Sequence, residues 1–406
     1  MDNPNECFFT LTNNLFTFDS YSCDCVTDID TIRPGEVKKT IKMQGLPSST
    51  IRFAFAPDRG MVRLANSGAI DSDRILTELL SLPKGDTDKL FEFFREYGFL
   101  FPICTDGYEA IDIELLHELI NRIKAVVRLM SELGEPRKDY KSILGLVLYL
   151  QLSQPIELPF QCFGEQSFTT CEHPLYTELK KASMLPNIDN HQHAFNNDTY
   201  DIADTIFSPI FQLNIEEYNN IVGGFDTATL GVSQSQLFKD ITRMYRNAPN
   251  LNPELRKMVD FLFHFQHSIA IIKGYKSTGD IEYYDTNENV RNRYAQKFED
   301  KMKQALIDIA KSTARDEIGY NLYGMRPRYD VDTMSPAWEI EDMLTGIYIS
   351  IFYMKPGIEL YRTCGNPNCN RSFLVKTTSA KRKYCTSACR NSSAQRAHRL
   401  RKKENG

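Results

Sequence analysis

Four cysteines near the end of the chain, Cys364, Cys369, Cys385 and Cys389, are spaced C-x4-C-x15-C-x3-C. Two short cysteine loops joined by a longer connector can each bring two sulfurs to about 2.3 Å from one Zn2+ ion, so the spacing predicts a tetrahedral structural zinc site. Gly365, Asn366, Pro367 and Asn368 are turn formers that reverse the chain between the first two thiolates. The run Arg371-Ser372-Phe373-Leu374-Val375-Lys376 reads as a short strand with Phe373 packed beneath the metal, and Thr377 to Lys383 as a hairpin turn. Thr386 and Ser387 offer an N-cap for a helix over 388–403, which contains neither Gly nor Pro. Cys389 then falls in the first helical turn, where the helix dipole favours the thiolate.

Charge separates this tail from everything before it. Residues 361–406 hold twelve Lys or Arg against one acid, Glu404, a balance of +11, whereas the first 360 residues hold 36 bases and 52 acids, a balance of −16; together these make the chain's −5. Such a tail calls for an anionic partner, and nucleic acid, above all double-stranded DNA, is the leading candidate. Lys381, Arg382, Lys383, Arg390, Arg396, Arg399, Arg401, Lys402 and Lys403 can each displace counterions from phosphates. Asn391 and Gln395, four apart on one helical face, carry the amides that pair with adenine edges. The alternative is that the zinc ribbon is a structural docking module for a protein or RNA. The acidic body could also compete with phosphate for the cationic tail, an autoinhibitory arrangement.

The tail resembles the CGNR-type zinc fingers that close many bacterial proteins bearing an N-terminal stress-response domain called ABATE. The resemblance rests on Cys364, Cys369, Phe373, the basic-aromatic Arg382-Lys383-Tyr384-Cys385, Cys389 and the basic helix after it. It implies that the four cysteines ligate zinc and that the protein is a DNA-binding transcription regulator. Two positions depart from the family pattern: the last cysteine spacing is one residue short, and Cys389-Arg390-Asn391-Ser392 stands where the family has Cys-Gly-Asn-Arg. The zinc ligands therefore transfer more directly than any DNA-reading residue. Upstream, Leu90 to Leu100 looks like that family's helix ending in a Tyr-Gly turn, again followed by a long amphipathic helix.

The remaining chain reads as α+β, mainly α. Residues 1–65 are β-rich, with Phe8 to Phe18, Val37 to Met43 and Ile51 to Phe55 alternating apolar and polar positions. Residues 66–153 form a helical region with the ABATE-like segment, in which Asp112 caps a helix burying Leu116, Leu119, Ile120, Ile123, Val127 and Met130. Residues 154–360 start irregular and become helical from about 233, ending in a helix with Ser335 as N-cap and Pro336 at its first position. Residues 361–406 are the zinc module with its basic helix. The start of the chain lacks a basic n-region and long apolar core, the longest apolar run covers only Ile143 to Leu152, and six further cysteines show no framework. A cytoplasmic protein with reduced thiols is expected, with no membrane partner. His264 and His267 lack the Glu of an HExxH motif and read as core histidines. No catalytic set is nameable, so no enzyme is expected; the helical body would hold a ligand or a partner protein.

Overall fold

The computed structural model describes residues 15–33, 36–56, 59–71, 74–160, 166–184, 236–246, 251–284, 287–331, 334–369, 371–379 and 381–404. The expected strand start at Phe8, most of the irregular stretch before 233, and Cys7 and Cys162 lie outside them. The fold is mixed α+β. The chain divides into two compact units: Met1–Val127, Pro155–Cys171 and Asp316–Gly406 make the first, and Arg128–Gln154 with Glu172–Arg315 the second.

In the first unit, β1 (Thr17–Arg33) and β2 (Glu36–Ala56) form a long antiparallel hairpin, and β2 also pairs with β3 (Gly60–Leu64) and with β4 (Glu109–Asp112). Cys23, Cys25, Ile41 and Met43 are buried at alternate positions, as expected of a half-buried sheet, whereas Phe53, Ala54, Phe55 and Ala56 are buried in succession. Cys23, Cys25, Cys104 and Cys171 are free thiols. The sheet thus takes its fourth strand from beyond residue 65, a pairing between segments far apart in sequence that local periodicity does not encode.

Helix α1 (Ile75–Ser81) is short, and Lys124 donates its amine to the Leu82 carbonyl at its end. Helix α2 (Thr87–Tyr97) starts at Asp86, whose carboxylate accepts from the Lys89 amide, and presses Leu90, Phe91, Phe93, Phe94 and Tyr97 into the core. It stops at Gly98, the Tyr-Gly turn read in the sequence. Gly98 has φ +82°, and a Cβ there would stand 2.7 Å from the Tyr21 carbonyl oxygen, so both backbone and space demand glycine. Helix α3 (Ile113–Gly134) follows, with the Asp112 carboxylate accepting from the Glu114 amide and the expected apolar face buried.

Two later segments close the first unit. Strands β5 (Glu157–Phe160) and β6 (Gln166–Thr169) form a hairpin whose Phe160 and Phe168 rings lie 5.0 and 4.8 Å from that of Phe101. The Arg122 guanidinium is fully buried with Glu317, donating to its carboxylate at 2.5 to 3.2 Å and to the Cys171 carbonyl at 2.6 Å.

The second unit contains α4 (Tyr140–Leu152), α5 (Pro174–Met184), α6 (Gln236–Arg246), α7 (Pro253–Ser268), a small hairpin of β7 (Ile272–Tyr275) and β8 (Ile281–Tyr283), α8 (Asn287–Lys297) and most of α9 (Asp300–Asn321). The hairpin interrupts what periodicity presents as continuous helices, because the turn at Gly279 is a tertiary contact: a Cβ on Gly145 of α4 would fall 2.0 Å from the Gly279 carbonyl oxygen. His264 is a core residue, its Nε2 3.3 Å from the Tyr245 hydroxyl and 3.3 Å from Asp260. The side chain of His267 is outside the described set.

Past α9 the chain returns to the first unit. Strands β9 (Arg326–Asp330) and β10 (Ser335–Glu339) pair antiparallel, so Ser335-Pro336 begins a strand and not a helix. The expected helix starts later, as α10 (Met343–Phe352), because Asp342 is the better cap: its carboxylate accepts from the Thr345 amide at 2.6 Å, while the Trp338 amide is taken by the Leu15 carbonyl. The anticipated apolar set, Ile340, Met343, Leu344, Ile347 and Ile351, is buried nonetheless. Among the described residues, no helix is long and apolar enough to cross a membrane.

Candidate metal centre

The cysteine module begins with a hairpin of β11 (Glu359–Thr363) and β12 (Ser372–Lys376), and the first cysteine pair sits in its loop. Hairpin pairing continues into that loop, where the Cys364 amide donates to Arg371. Asn366 then closes the turn twice, its side-chain oxygen accepting from the Asn368 amide at 3.2 Å and its carbonyl from the Cys369 amide at 2.8 Å. The hairpin turn expected over 377–383 is instead a 3-10 turn at Thr377–Ser379 leading to the second pair, because β12 takes its partner from β11, before it in the chain. There the Gly365 amide bonds the Lys383 carbonyl at 2.8 Å, clamping the two cysteine loops together. Helix α11 (Ser387–Glu404) starts where the Thr386 hydroxyl accepts from the Cys389 amide, the cap expected from the sequence.

All four sulfurs lie within 4.8 Å of one another. The Cys369–Cys385 and Cys385–Cys389 separations are 3.6 and 3.5 Å, close to the ~3.8 Å edge of a tetrahedron with ~2.3 Å metal–sulfur bonds. Four thiolates converging at this spacing suit a single metal ion, and hairpin loop plus helix start is what brings them together. The Cys385 amide also points at the Cys364 sulfur at 3.5 Å, the donation a thiolate accepts. A hydrogen bond with Thr386 leads in drawing the Cys389 thiol down to about 6, with Cys385 and Cys369 contributing. Burial, and then the neighbouring Cys389, pushes Cys385 up. One sulfur of the set is therefore readily ionised, and a cation bound among them would favour the thiolate at Cys385. Phe373 and Val375 are buried against the cysteine cluster, as read for Phe373, with Tyr384 beside them.

Residues 361–402 match the CGNR zinc finger family. No curated protein and no solved structure matches the chain.

The basic residues of the CGNR zinc finger divide by role. Arg382 is committed inside the finger: its guanidinium lies 5.2 Å from the centre of the Phe373 ring and donates to the Tyr384 and Cys385 carbonyls. Arg396 reaches back from α11 to the Asn368 side chain at 3.1 Å, and Tyr384 donates to Ser393. Cys389, Ser393 and Arg396 thus define the attached face of α11. Lys381, Lys383, Arg390, Arg399 and Arg401 are exposed, as are Asn391 and Gln395; the helical backbone extends through Lys402 and Lys403.

At 3.6 residues per turn, Asn391, Gln395 and His398 form a stripe opposite the attached face, with Arg390 and Arg401 along one flank and Arg399 along the other. His398 was not singled out by sequence reading, although its place seven residues after Asn391 is a signal that could have found it. Asn366 was read only as a turn former. It is also buried and hydrogen-bonds Cys389, a role that needs the folded loop to be seen.

The CGNR zinc finger is also docked by its hairpin. Arg371 pairs with Glu78 of α1 at 3.0 Å, and the Ser372 amide and hydroxyl bond Ser81 and the Leu80 carbonyl.

Proposed function

We propose that the finger holds Zn2+ through Cys364, Cys369, Cys385 and Cys389 and uses α11 to bind double-stranded DNA, so that the protein acts as a non-enzymatic, cytoplasmic transcription regulator. The observation that carries this reading is the exposed amide stripe, Asn391 and Gln395, flanked on both sides by arginines of a helix whose opposite face is tied to the metal loops. A helix of this width fits the major groove, where side-chain amides read adenine and arginines read guanine or phosphate. The resemblance of Leu90 to Leu100 to the ABATE proteins supports the regulatory context.

The hairpin's docking on α1 favours a second reading, in which zinc is a staple holding a docking module for a protein or RNA. Metal analysis of the full chain beside Cys364→Ser and Cys385→Ser, followed by binding to duplex DNA and to RNA on the same samples, separates the two. Joint loss of zinc and duplex binding supports the regulator. Zinc loss with unchanged duplex binding, or preference for RNA, overturns it.

A further inference from the structure

A cavity of about 950 Å3 opens in the first unit against the hairpin that carries the first cysteine pair. Its size falls within the ~300–1,000 Å3 typical of small-molecule sites. One wall is aromatic, where the Phe55 and Tyr353 rings meet at 5.2 Å, and Met354 and Leu374 also line the cavity. The charged lining is mostly cationic. Among the described lining residues, Arg59, Arg74, Lys355 and Lys376 are cationic and Glu359 is the one acid. Glu359 is answered by Arg74 at 3.8 Å. Among the described residues, no ion pair engages Arg59, Lys355 or Lys376. Three exposed cations at the rim of an open cleft with an aromatic wall, and without carboxylates of their own, are what a negatively charged guest with an apolar body would complete.

We propose that this cavity binds a small organic anion, its charged head held by Arg59, Lys355 and Lys376 and its aromatic or branched body laid against Phe55 and Tyr353. Leu374 and Lys376 belong to β12, so the guest touches the strand pair that presents Cys364 and Cys369. Occupancy then stiffens the hairpin beneath the metal centre. The site does not depend on what α11 binds, and it places ligand recognition beside the finger and not in the helical middle of the chain.

The test uses two fluorescent probes of matched apolar body on the metal-loaded full chain: anilinonaphthalene sulfonate, an aromatic anion, and phenylnaphthylamine, its neutral counterpart. The anion should bind saturably at one site, and the Lys355→Glu, Lys376→Glu double variant should weaken it about tenfold or more while leaving the neutral probe nearly unchanged. Tyr353→Ala should weaken both probes. Bound anion should also slow hydrogen exchange at the amides of 359–363 and 372–376. Circular dichroism and metal content check that each variant folds, and Arg59→Gln replaces the double variant if it does not. Equal loss of both probes, an anion affinity indifferent to these cations, or no saturable binding would overturn the proposal.

Discussion

Arg382 and Arg399 carry the same charge, yet only one is free to meet a partner. Because Arg382 covers Phe373 and caps two carbonyls of the second cysteine loop, Arg382→Ala should make the finger surrender its metal to a chelator markedly faster, read by a colorimetric zinc indicator. Arg399→Ala should leave metal retention unchanged. Its effect belongs to binding: the slope of log affinity against log salt should fall by about one, as for a lost phosphate contact. Asp342 offers a different residue-level contrast. Alanine there should cost about 1 kcal/mol in urea denaturation through loss of the α10 cap, whereas asparagine keeps the acceptor. Burial, offset in part by the hydrogen bonds with Thr345, raises the Asp342 carboxyl above its ordinary range. The folded state therefore holds that proton more tightly than the unfolded one, and stability present at low pH is lost as pH rises through the folded value. Asp342→Asn carries no such loss, so melting curves should favour it over wild type increasingly from pH ~4 upward. An unchanging gap across that range would refute the burial argument.

Among the elements, α3 and α9 meet through Arg122 and Glu317, a pair sealed from water. Glu317→Ala strands a buried guanidinium and should cost about 3–5 kcal/mol, while replacing both partners with Met and Leu should cost far less. Chemical denaturation of the three proteins decides it. A second element-level test is Gly145→Ala, which forces α4 away from the Gly279 turn and should destabilise by about 2 kcal/mol or more.

Elements whose signals are local were legible in the sequence. The strand β12 and helix of the finger, the α3 face with its Asp112 cap, and the Gly98 stop of α2 all rest on residues within a few positions of each other. What escaped depends on distant partners. Strand β10 was masked by a Ser-Pro pair that imitates a helix start, β4 acquires its state only by lying beside β2, and the β7–β8 turn is held by Gly145. In the finger, the convergence of the four cysteines was readable from spacing, but the diversion of Arg382 and Arg396 into bracing could not be, because the carbonyls and the Asn368 side chain they bond come within reach only once the loops fold.

For the whole molecule, charge and metal act together. The contrast of −16 before residue 361 and +11 after it should make duplex binding by the full chain strongly dependent on salt, with the affinity falling linearly on logarithmic axes. Stripping the metal should abolish hydrogen-exchange protection from 359 to 404 while β1 to β4 stay protected, since zinc contributes on the order of 10 kcal/mol to folding of such small modules.

The first unit is stitched from both ends of the chain: the Trp338 amide reaches Leu15, that of Leu344 reaches Leu100, and that of Ser372 reaches Ser81. The opening sheet and its helices therefore gain these neighbours only from segments made much later in the sequence. Removing α10 should therefore strip the Met61 amide of the Ser350 hydroxyl it bonds at 2.9 Å and leave β3 open to limited proteolysis, however intact the opening hairpin remains.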